Sequence, residues 1–467
     1  MLQMARFPWT TFSDFPLYIY QYLKSELKPR FEITIETASI LSTLASLPPI
    51  PFQILRFRVR GWVPISSGFL HLLAASSIAT SANPFPQPPL LPPPPALSTL
   101  HPKPYSTDSI SLILSTGASR LPDLKIMAKK KPIEGVSDQM NAIASQNLDH
   151  APARRRVRLA FTQVQEQLDH MAPTGIRTEE WFEMNSKGEE IFCKSWLPRP
   201  GVRIKAAVCF VHGYGDTCTF FFEGIAKRIA AAGYGVYAID HPGFGLSEGL
   251  HGYIPNFSDL VGNVIEQYTN IKGRPEVRGM PRFLLGQSMG GAVALKVHLK
   301  EQREWDGVVL VATMCKISEE MKPPEPLQKV LNILSRLMPK AKLVPQKDLA
   351  ELVFRDPQKR KLADYNVISY SDQTRLKTAV ELLNATNELE YQVEKVSSPL
   401  LILHGASDKV TDANINKFLY EKAASKDKQL KLYDGSYHCI LEGESDERIF
   451  EVLDDIIAWL DSHCAVR

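Results

Sequence analysis

Three residues in the second half of the chain have the types that covalent acyl transfer needs: Ser288, Asp408 and His438. A serine hydroxyl is a weak nucleophile until a base takes its proton, and an acid must hold that base in one tautomer. Ser288 stands in Gly286-Gln287-Ser288-Met289-Gly290, after the apolar run Phe283–Leu285 and before the small-residue run Gly291–Leu295. Strand, sharp turn and helix in that order lift a nucleophile clear of a sheet edge. The flanking glycines leave room for a strained turn. His438, one of 11 histidines, closes the short loop Asp434–His438 after a strand pattern. Asp408 ends His404-Gly405-Ala406-Ser407-Asp408, just past the apolar run Leu400–Leu403. An aspartate in such a loop is often a helix cap, but Asp412, directly before the next helix pattern, suits that role better. Serine, aspartate, histidine is the chain order expected when an elbow of this kind heads the triad.

The tetrahedral intermediate of acyl transfer needs hydrogen-bond donors for its oxyanion. The backbone N–H of Met289, next after the nucleophile, supplies one. The second is expected from His212-Gly213-Tyr214-Gly215-Asp216, and Tyr214 is the residue assigned to it. The Tyr214 ring either walls an acyl pocket or simply packs.

Strand and helix patterns alternate around these motifs, which argues for a parallel sheet covered on both faces. A hairpin (Trp181–Met184, then Glu190–Leu197) precedes strand Ala206–Val211, helix Thr219–Ala232, strand Val236–Ile239 and helix Phe257–Ile271. The elbow strand and its helix follow, then strand Val308–Ala312. The alternation breaks over 316–396, where three helical pieces (Leu327–Leu337, Lys347–Phe354, Arg375–Leu389) and no convincing strand are read. Strand Leu400–Leu403, helix Ala413–Ala424, strand Leu430–Tyr433 and helix Glu447–Leu460 complete the pattern. A helical insert between two strands reads as a lid over the carboxyl ends of the sheet.

The organisation expected is an N-terminal extension over 1–126, a linker with an amphipathic helix over 127–174, core over 175–315, lid over 316–396 and core again over 397–467. From Thr37 to Thr107 there is no acidic residue, and prolines crowd Pro84–Pro104. Such composition does not favour a packed domain. The extension is read as a targeting presequence, a disordered arm, or sequence ahead of the true start at Met127. Its apolar stretch Ser67–Ala82 is too short to span a membrane. In the helix over 151–171, Val157, Phe161, Val164 and Leu168 share a face, and Arg154, Arg155, Arg156 and Arg158 either end a solvated helix or touch an anionic membrane surface. The run Glu319–Glu325 reads as a solvated surface. A formal charge of +3 gives no argument for nucleic acid, and six scattered cysteines suit neither a zinc site nor a disulfide framework. Cys218 and Cys439 either lie near the pocket or are buried and inert.

Taken together, the His212–Asp216, Asp240–Gly249, Gly286–Gly290, His404–Asp408 and Gly435–Cys439 motifs resemble the monoacylglycerol lipase branch of the α/β-hydrolases. More narrowly they are similar to its plant members, which include lysophospholipase-like enzymes and caffeoylshikimate esterase. The resemblance covers roughly 175–463. It implies an α/β-hydrolase fold: a mostly parallel central sheet, helices on both faces and a helical lid. It implies Ser288, Asp408 and His438 as the triad, Tyr214 and Met289 as oxyanion donors, and Asp240–Gly249 as a structural turn. Phe244 in that turn stands where many relatives carry a small or polar residue or a histidine. The expected activity is cofactor-free and metal-free serine ester hydrolysis of monoacylglycerols or related single-chain lipid esters. The alternatives are a carboxylesterase for phenolic esters such as caffeoylshikimate, and a hydrolase-fold receptor that binds a ligand without turnover. The expected location is cytoplasmic, with peripheral membrane contact through the lid or the arginine-rich helix, or plastid if 1–126 is a presequence.

Overall fold

The computed structural model describes residues 32–38, 54–60, 132–168, 173–317, 323–344 and 350–464. The chain divides into two compact units, Pro8–Ile126 and Met1–Phe7 with Met127–Arg467. In the first, β1 (Glu32–Ala38) pairs antiparallel with β2 (Ile54–Arg60), with Glu32 opposite Arg60 and Glu36 opposite Arg56. This pair was not expected. Both segments alternate apolar and polar residues with the period of two that a strand requires, a signal the surrounding composition obscures. The other readings of 1–126 fall outside the described residues.

The second unit is built on an eight-stranded sheet. Its strands are β3 (Arg177–Met184), β4 (Glu190–Leu197), β5 (Ala207–Val211), β6 (Gly235–Ile239), β7 (Arg282–Gln287), β8 (Gly307–Val311), β11 (Leu400–Gly405) and β12 (Lys428–Tyr433). Their spatial order is β12-β11-β8-β7-β5-β6-β4-β3. Every pairing from β6 to β12 is parallel, and the β3–β4 hairpin joins β6 antiparallel. The central strands bury both faces. On β5, Ala207, Cys209 and Val211 enter one core and Val208 and Phe210 the other. Such strands read as continuous apolar runs.

Helices α1 (Asp138–Ala144), α2 (Ala151–Leu168), α3 (Phe221–Ala231) and α11 (Asp446–Cys464) contribute to one core, and α4 (Phe257–Lys272) and α5 (Met289–Lys300) to the other. The chain leaves β5 for β6 on one side, then returns to β7 on the other. That reversal puts a crevice at the carboxyl ends of β5 and β7, where sheets of this kind bind ligands.

The arginines of α2 correct an expectation. Arg154 is completely buried; Arg155 pairs with Glu190 at 2.8 Å and Arg158 with Glu180 at 3.1 Å. Three of the four cations are therefore engaged with protein, which removes them as a membrane-facing patch. Helix α2 buries Arg154, Val157, Phe161 and Gln165, while Val164 and Leu168 are only half-buried.

Between β8 and β11 lie α6 (Glu325–Leu337), β9 (Lys342–Val344), α7 (Ala350–Val353), α8 (Pro357–Ala363), β10 (Thr374–Arg375) and α9 (Leu376–Glu390). This insert is not all-helical: β9 and β10 pair antiparallel, with Thr374 opposite Val344. The pair is too short for a periodicity to show, and a buried cation pins it. Arg375 donates to the carbonyls of His251 (3.0 Å) and Lys340 (2.9 Å) and to Asp149 (2.6 Å). Helix α9 is fastened to the core, with Glu381 accepting from the Phe257 N–H at 2.8 Å and Thr378 from that of Ile254 at 2.9 Å. Among the described residues, no helix is long and apolar enough to cross a membrane.

Candidate active site

Ser288 sits between β7 and α5 with φ 54° and ψ −117°, a strained conformation for a residue with a side chain. The neighbouring packing enforces it. A Cβ on Gly290 would lie 1.9 Å from the Val211 carbonyl oxygen at the end of β5, so only glycine lets the helix start this close to the sheet. The Ser288 N–H is held by the Val311 carbonyl at 2.9 Å, and its own carbonyl accepts from Gly291 and Met314, each at 3.1 Å. The turn is thus tied to the end of β8 and to the first turn of α5, and the hydroxyl is aimed rather than free.

His438 comes from the loop after β12 and Asp408 from the loop after β11. The His438 Nε2 lies 3.1 Å from Ser288 Oγ, and its Nδ1 lies 2.7 Å from Asp408 Oδ2. All three side chains are almost fully buried. The structure thus brings together the three residues singled out from the sequence, with His438 between Ser288 and Asp408. The Asp408 Oδ1 accepts from the N–H groups of Val410 (2.6 Å) and Thr411 (3.1 Å), while Oδ2 also accepts from the Thr411 hydroxyl at 2.7 Å. Burial alone would raise the Asp408 carboxyl. The adjacent His438 ring and the bonds from His404 and His438 overcome that and hold it well below the usual carboxylate range. Burial likewise works to lower His438, and the Asp408 charge and hydrogen bond reverse it, leaving the imidazole raised above its ordinary value. Such a ring is a base that holds its proton well once it has taken it.

The His212–Asp216 loop, expected to carry the second oxyanion donor, lies against Ser288. A methyl on Gly213 would meet Ser288 Cβ at 3.4 Å. His212 shapes this loop: its Nδ1 donates to the Gly213 carbonyl at 2.8 Å, and its Nε2 accepts the His241 N–H at 3.0 Å. The N–H of Met289 opens α5, where intrahelical partners are lacking. Among the described residues no hydrogen bond occupies it or the N–H of Tyr214. The Tyr214 ring is half-buried and meets Phe244 (5.6 Å) and Tyr370 (5.9 Å) edge-on, and its hydroxyl reaches the Gly252 carbonyl at 3.4 Å. Phe244 is completely buried against His212 and Tyr214, a packing residue of the turn. Asp412 caps helix α10 (Ala413–Lys422), accepting from the Asn414 N–H at 2.9 Å. Cys218 and Cys439 are buried, and burial pushes both thiols well above their ordinary value, which makes them poor nucleophiles.

The insert closes over this edge. Tyr370 donates its N–H to the Gly215 carbonyl at 2.7 Å, and the Cys439 N–H reaches the Val353 carbonyl at 3.1 Å. It therefore contacts both the oxyanion loop and the His438 loop. Beneath them, Gln287 donates to Glu442 at 2.7 Å. Burial, with Asp216 nearby, pushes the Glu442 carboxyl up to about 7. Sequence reasoning missed Glu442, Thr411 and His404. Only the placement of Thr411 three residues after Asp408, and of His404 at the start of the same motif, hinted at the last two.

Residues 202–446 match the profile of the family described as serine aminopeptidase, S33. The chain is 31% identical over 323 residues to a caffeoylshikimate esterase of Arabidopsis thaliana, covering 69% of this chain and 97% of that protein. It is 30% identical over 286 residues to a monoglyceride lipase of Homo sapiens, covering 60% and 90%. A soluble variant of the Saccharomyces cerevisiae monoglyceride lipase, solved with a substrate analog, shares the fold with a TM-score of 0.52 at 22% identity, over 61% of this chain and 95% of that one.

Proposed function

The chain belongs to the serine aminopeptidase S33 family, in which its relatives are ester hydrolases, and from that premise we propose that Ser288, His438 and Asp408 hydrolyse a lipid ester through an acyl-enzyme. Ser288 Oγ attacks the ester carbonyl as His438 Nε2 takes its proton. The N–H groups of Tyr214 and Met289 hold the oxyanion. His438 then returns the proton to the departing alcohol. Water, deprotonated by the same ring, attacks the acyl-serine and releases the acid. Asp408 stays ionised throughout and holds the imidazolium.

One observation favours single-chain lipid esters, monoacylglycerols first. On α6, Val330, Ile333 and Leu337 are 44%, 60% and 70% exposed, while Leu327 and Leu331 are buried on the opposite side. A helix of the insert with an apolar outer stripe, neighboured in sequence by the exposed Lys329, Arg336 and Lys340, suits an enzyme that draws substrate from an anionic lipid surface. Phenolic esters are the second reading, supported by the longer alignment with the esterase, 323 residues against 286. Ranking monoacylglycerol, lysophospholipid and caffeoylshikimate by kcat/KM tests the choice. We expect monoacylglycerol to lead by at least roughly tenfold, the scale on which pocket contacts discriminate; a lead for caffeoylshikimate transfers the assignment to the second reading.

Surface contact has its own check. The double variant Ile333→Glu, Leu337→Glu is expected to lower co-sedimentation with anionic phospholipid vesicles by roughly tenfold or more, because two large apolar groups are lost and two like charges gained. Unchanged sedimentation with an unchanged melting temperature removes α6 as the contact.

A further inference from the structure

The Asp408 carboxylate holds more donors than a triad needs, and the surplus comes from a second histidine. His404, in β11, is completely buried. Its Nε2 lies 3.0 Å from Asp408 Oδ2 and 2.9 Å from the Thr411 carbonyl. Its Nδ1 faces the amide nitrogen of Asn416 at 2.5 Å, and that nitrogen also reaches the Thr313 carbonyl at 3.3 Å. Two acceptors on one side of the ring require a proton on Nε2. An amide N–H on the other requires a lone pair on Nδ1. The neighbours therefore fix the tautomer from both ends. Asp408 Oδ2 consequently takes three side-chain donors, from His438 (2.7 Å), the Thr411 hydroxyl (2.7 Å) and His404 (3.0 Å).

We propose that His404, locked by Asn416, is a positioning residue that orients the Asp408 carboxylate and tempers its pull on His438. The proposal rests on the triad assignment above. Each donor on Oδ2 draws electron density from the oxygen that His438 faces. Removing the His404 donor leaves a stronger acceptor for the His438 Nδ1–H and favours the imidazolium. The base then becomes neutral, and able to activate Ser288, only at higher pH. Strengthening the donor has the opposite sign.

The groups around His438 are Ser288 from the elbow, Asp408 and Thr411 from the loop before α10, His404 from β11, and Cys439 and Glu442 from its own loop, with Asp216 of the oxyanion loop beyond Glu442. Lys409, next to Asp408, is exposed. Burial pushes the Glu442 carboxyl up to about 7, so every profile is collected in a Glu442→Gln background.

The test is the pH profile of kcat/KM on a short nitrophenyl ester. His404→Leu is expected to move the acid limb up by roughly half to one pH unit and to lower kcat about tenfold with KM within about twofold, as loss of one charge-assisted bond implies. Asn416→Asp offers His404 Nδ1 a carboxylate, so the ring takes a second proton, becomes a stronger donor and moves the limb down. His404→Gln, whose amide can still donate to Asp408, keeps the limb within about 0.3 unit of its starting position. General damage to the site does not move two limbs in opposite directions. Limbs that stay in place, or shift the same way in the Leu and Asp variants, overturn the proposal. If His404→Leu does not fold, Asn416→Asp decides alone: a lowered limb supports the proposal and any other result rejects it. Full activity in Ser288→Ala would remove the triad assignment and this proposal with it, whereas normal dependence on Ser288 with unmoved limbs rejects this proposal only.

Discussion

Ser288→Ala gives a folded protein that hydrolyses short nitrophenyl esters at least roughly a thousandfold more slowly than the wild type. The expectation follows from what the side chain does and does not do. Its hydroxyl bonds to His438 at 3.1 Å and has no other protein partner among the described hydrogen bonds, so no structural bond in the core is lost. The bonds that hold the turn, to Val311, Gly291 and Met314, are all made by the backbone, which alanine keeps. The φ of 54° is no harder for alanine than for serine, because both carry a Cβ. The melting temperature should therefore stay within about 2 °C, a small change for a domain of this size. Turnover depends on a covalent intermediate that alanine cannot form. The oxyanion donors and substrate binding still operate, and in such enzymes they leave a residual rate of about 10³–10⁴ over water, far below the intact triad. Burst amplitude and steady-state rate on a nitrophenyl ester measure both. More than about one per cent residual activity, after exclusion of wild-type contamination, sinks Ser288 as the nucleophile.

The positions behind that expectation were legible because chemistry restricts them. An elbow needs small residues on both sides of a nucleophile, and Gly290 lies where a methyl would collide with Val211. Buried parallel strands need unbroken apolar runs, so Phe283–Leu285 and Leu400–Leu403 announced themselves, as did the helices whose buried faces repeat every three to four residues. Elsewhere the information lies in tertiary contacts that no local period carries. His404 reads as the first residue of the loop after the apolar run until β11, which extends to Gly405, places it beside Asp408. The β9–β10 ladder is fixed by Arg375 reaching His251 and Asp149, more than a hundred residues away. The four arginines near the start of α2 look identical in sequence, yet Arg154 is completely buried and Arg156 exposed.

Among single substitutions, that buried arginine carries the largest expected effect on stability. The Arg154 guanidinium donates to five carbonyls: Gly245 (2.6 Å), Ser247 (2.5 Å), Gly249 (3.3 Å), Leu148 (2.9 Å) and Asp149 (3.3 Å). Burial lowers it to about 10, with Asp240 opposing, so it stays charged at neutral pH. It thereby clamps the turn after β6, whose other anchor is Asp240 accepting from the N–H groups of Leu246 and Cys218, each at 2.7 Å. Arg154→Ala leaves those carbonyls without a donor and opens a cavity, at an expected cost of about 3–5 kcal/mol. Against a typical stability of 5–15 kcal/mol this is severe, and the melting temperature should fall by roughly 6–12 °C. Arg154→Lys should recover little of it, because an ammonium lacks the planar fork that reaches several carbonyls at once. Because the Cys218 N–H bonds to Asp240 just beyond the oxyanion loop, kcat should fall even where the variant remains folded. We further propose that a chain starting at Met127 keeps the wild-type melting temperature, whereas one starting at Thr174, which lacks α1 and α2, does not fold. Thermal unfolding of the four proteins decides it. An Arg154→Ala variant that melts within about 2 °C of the wild type would mean that α2 only leans on the hydrolase core, and that the turn after β6 holds its shape without it.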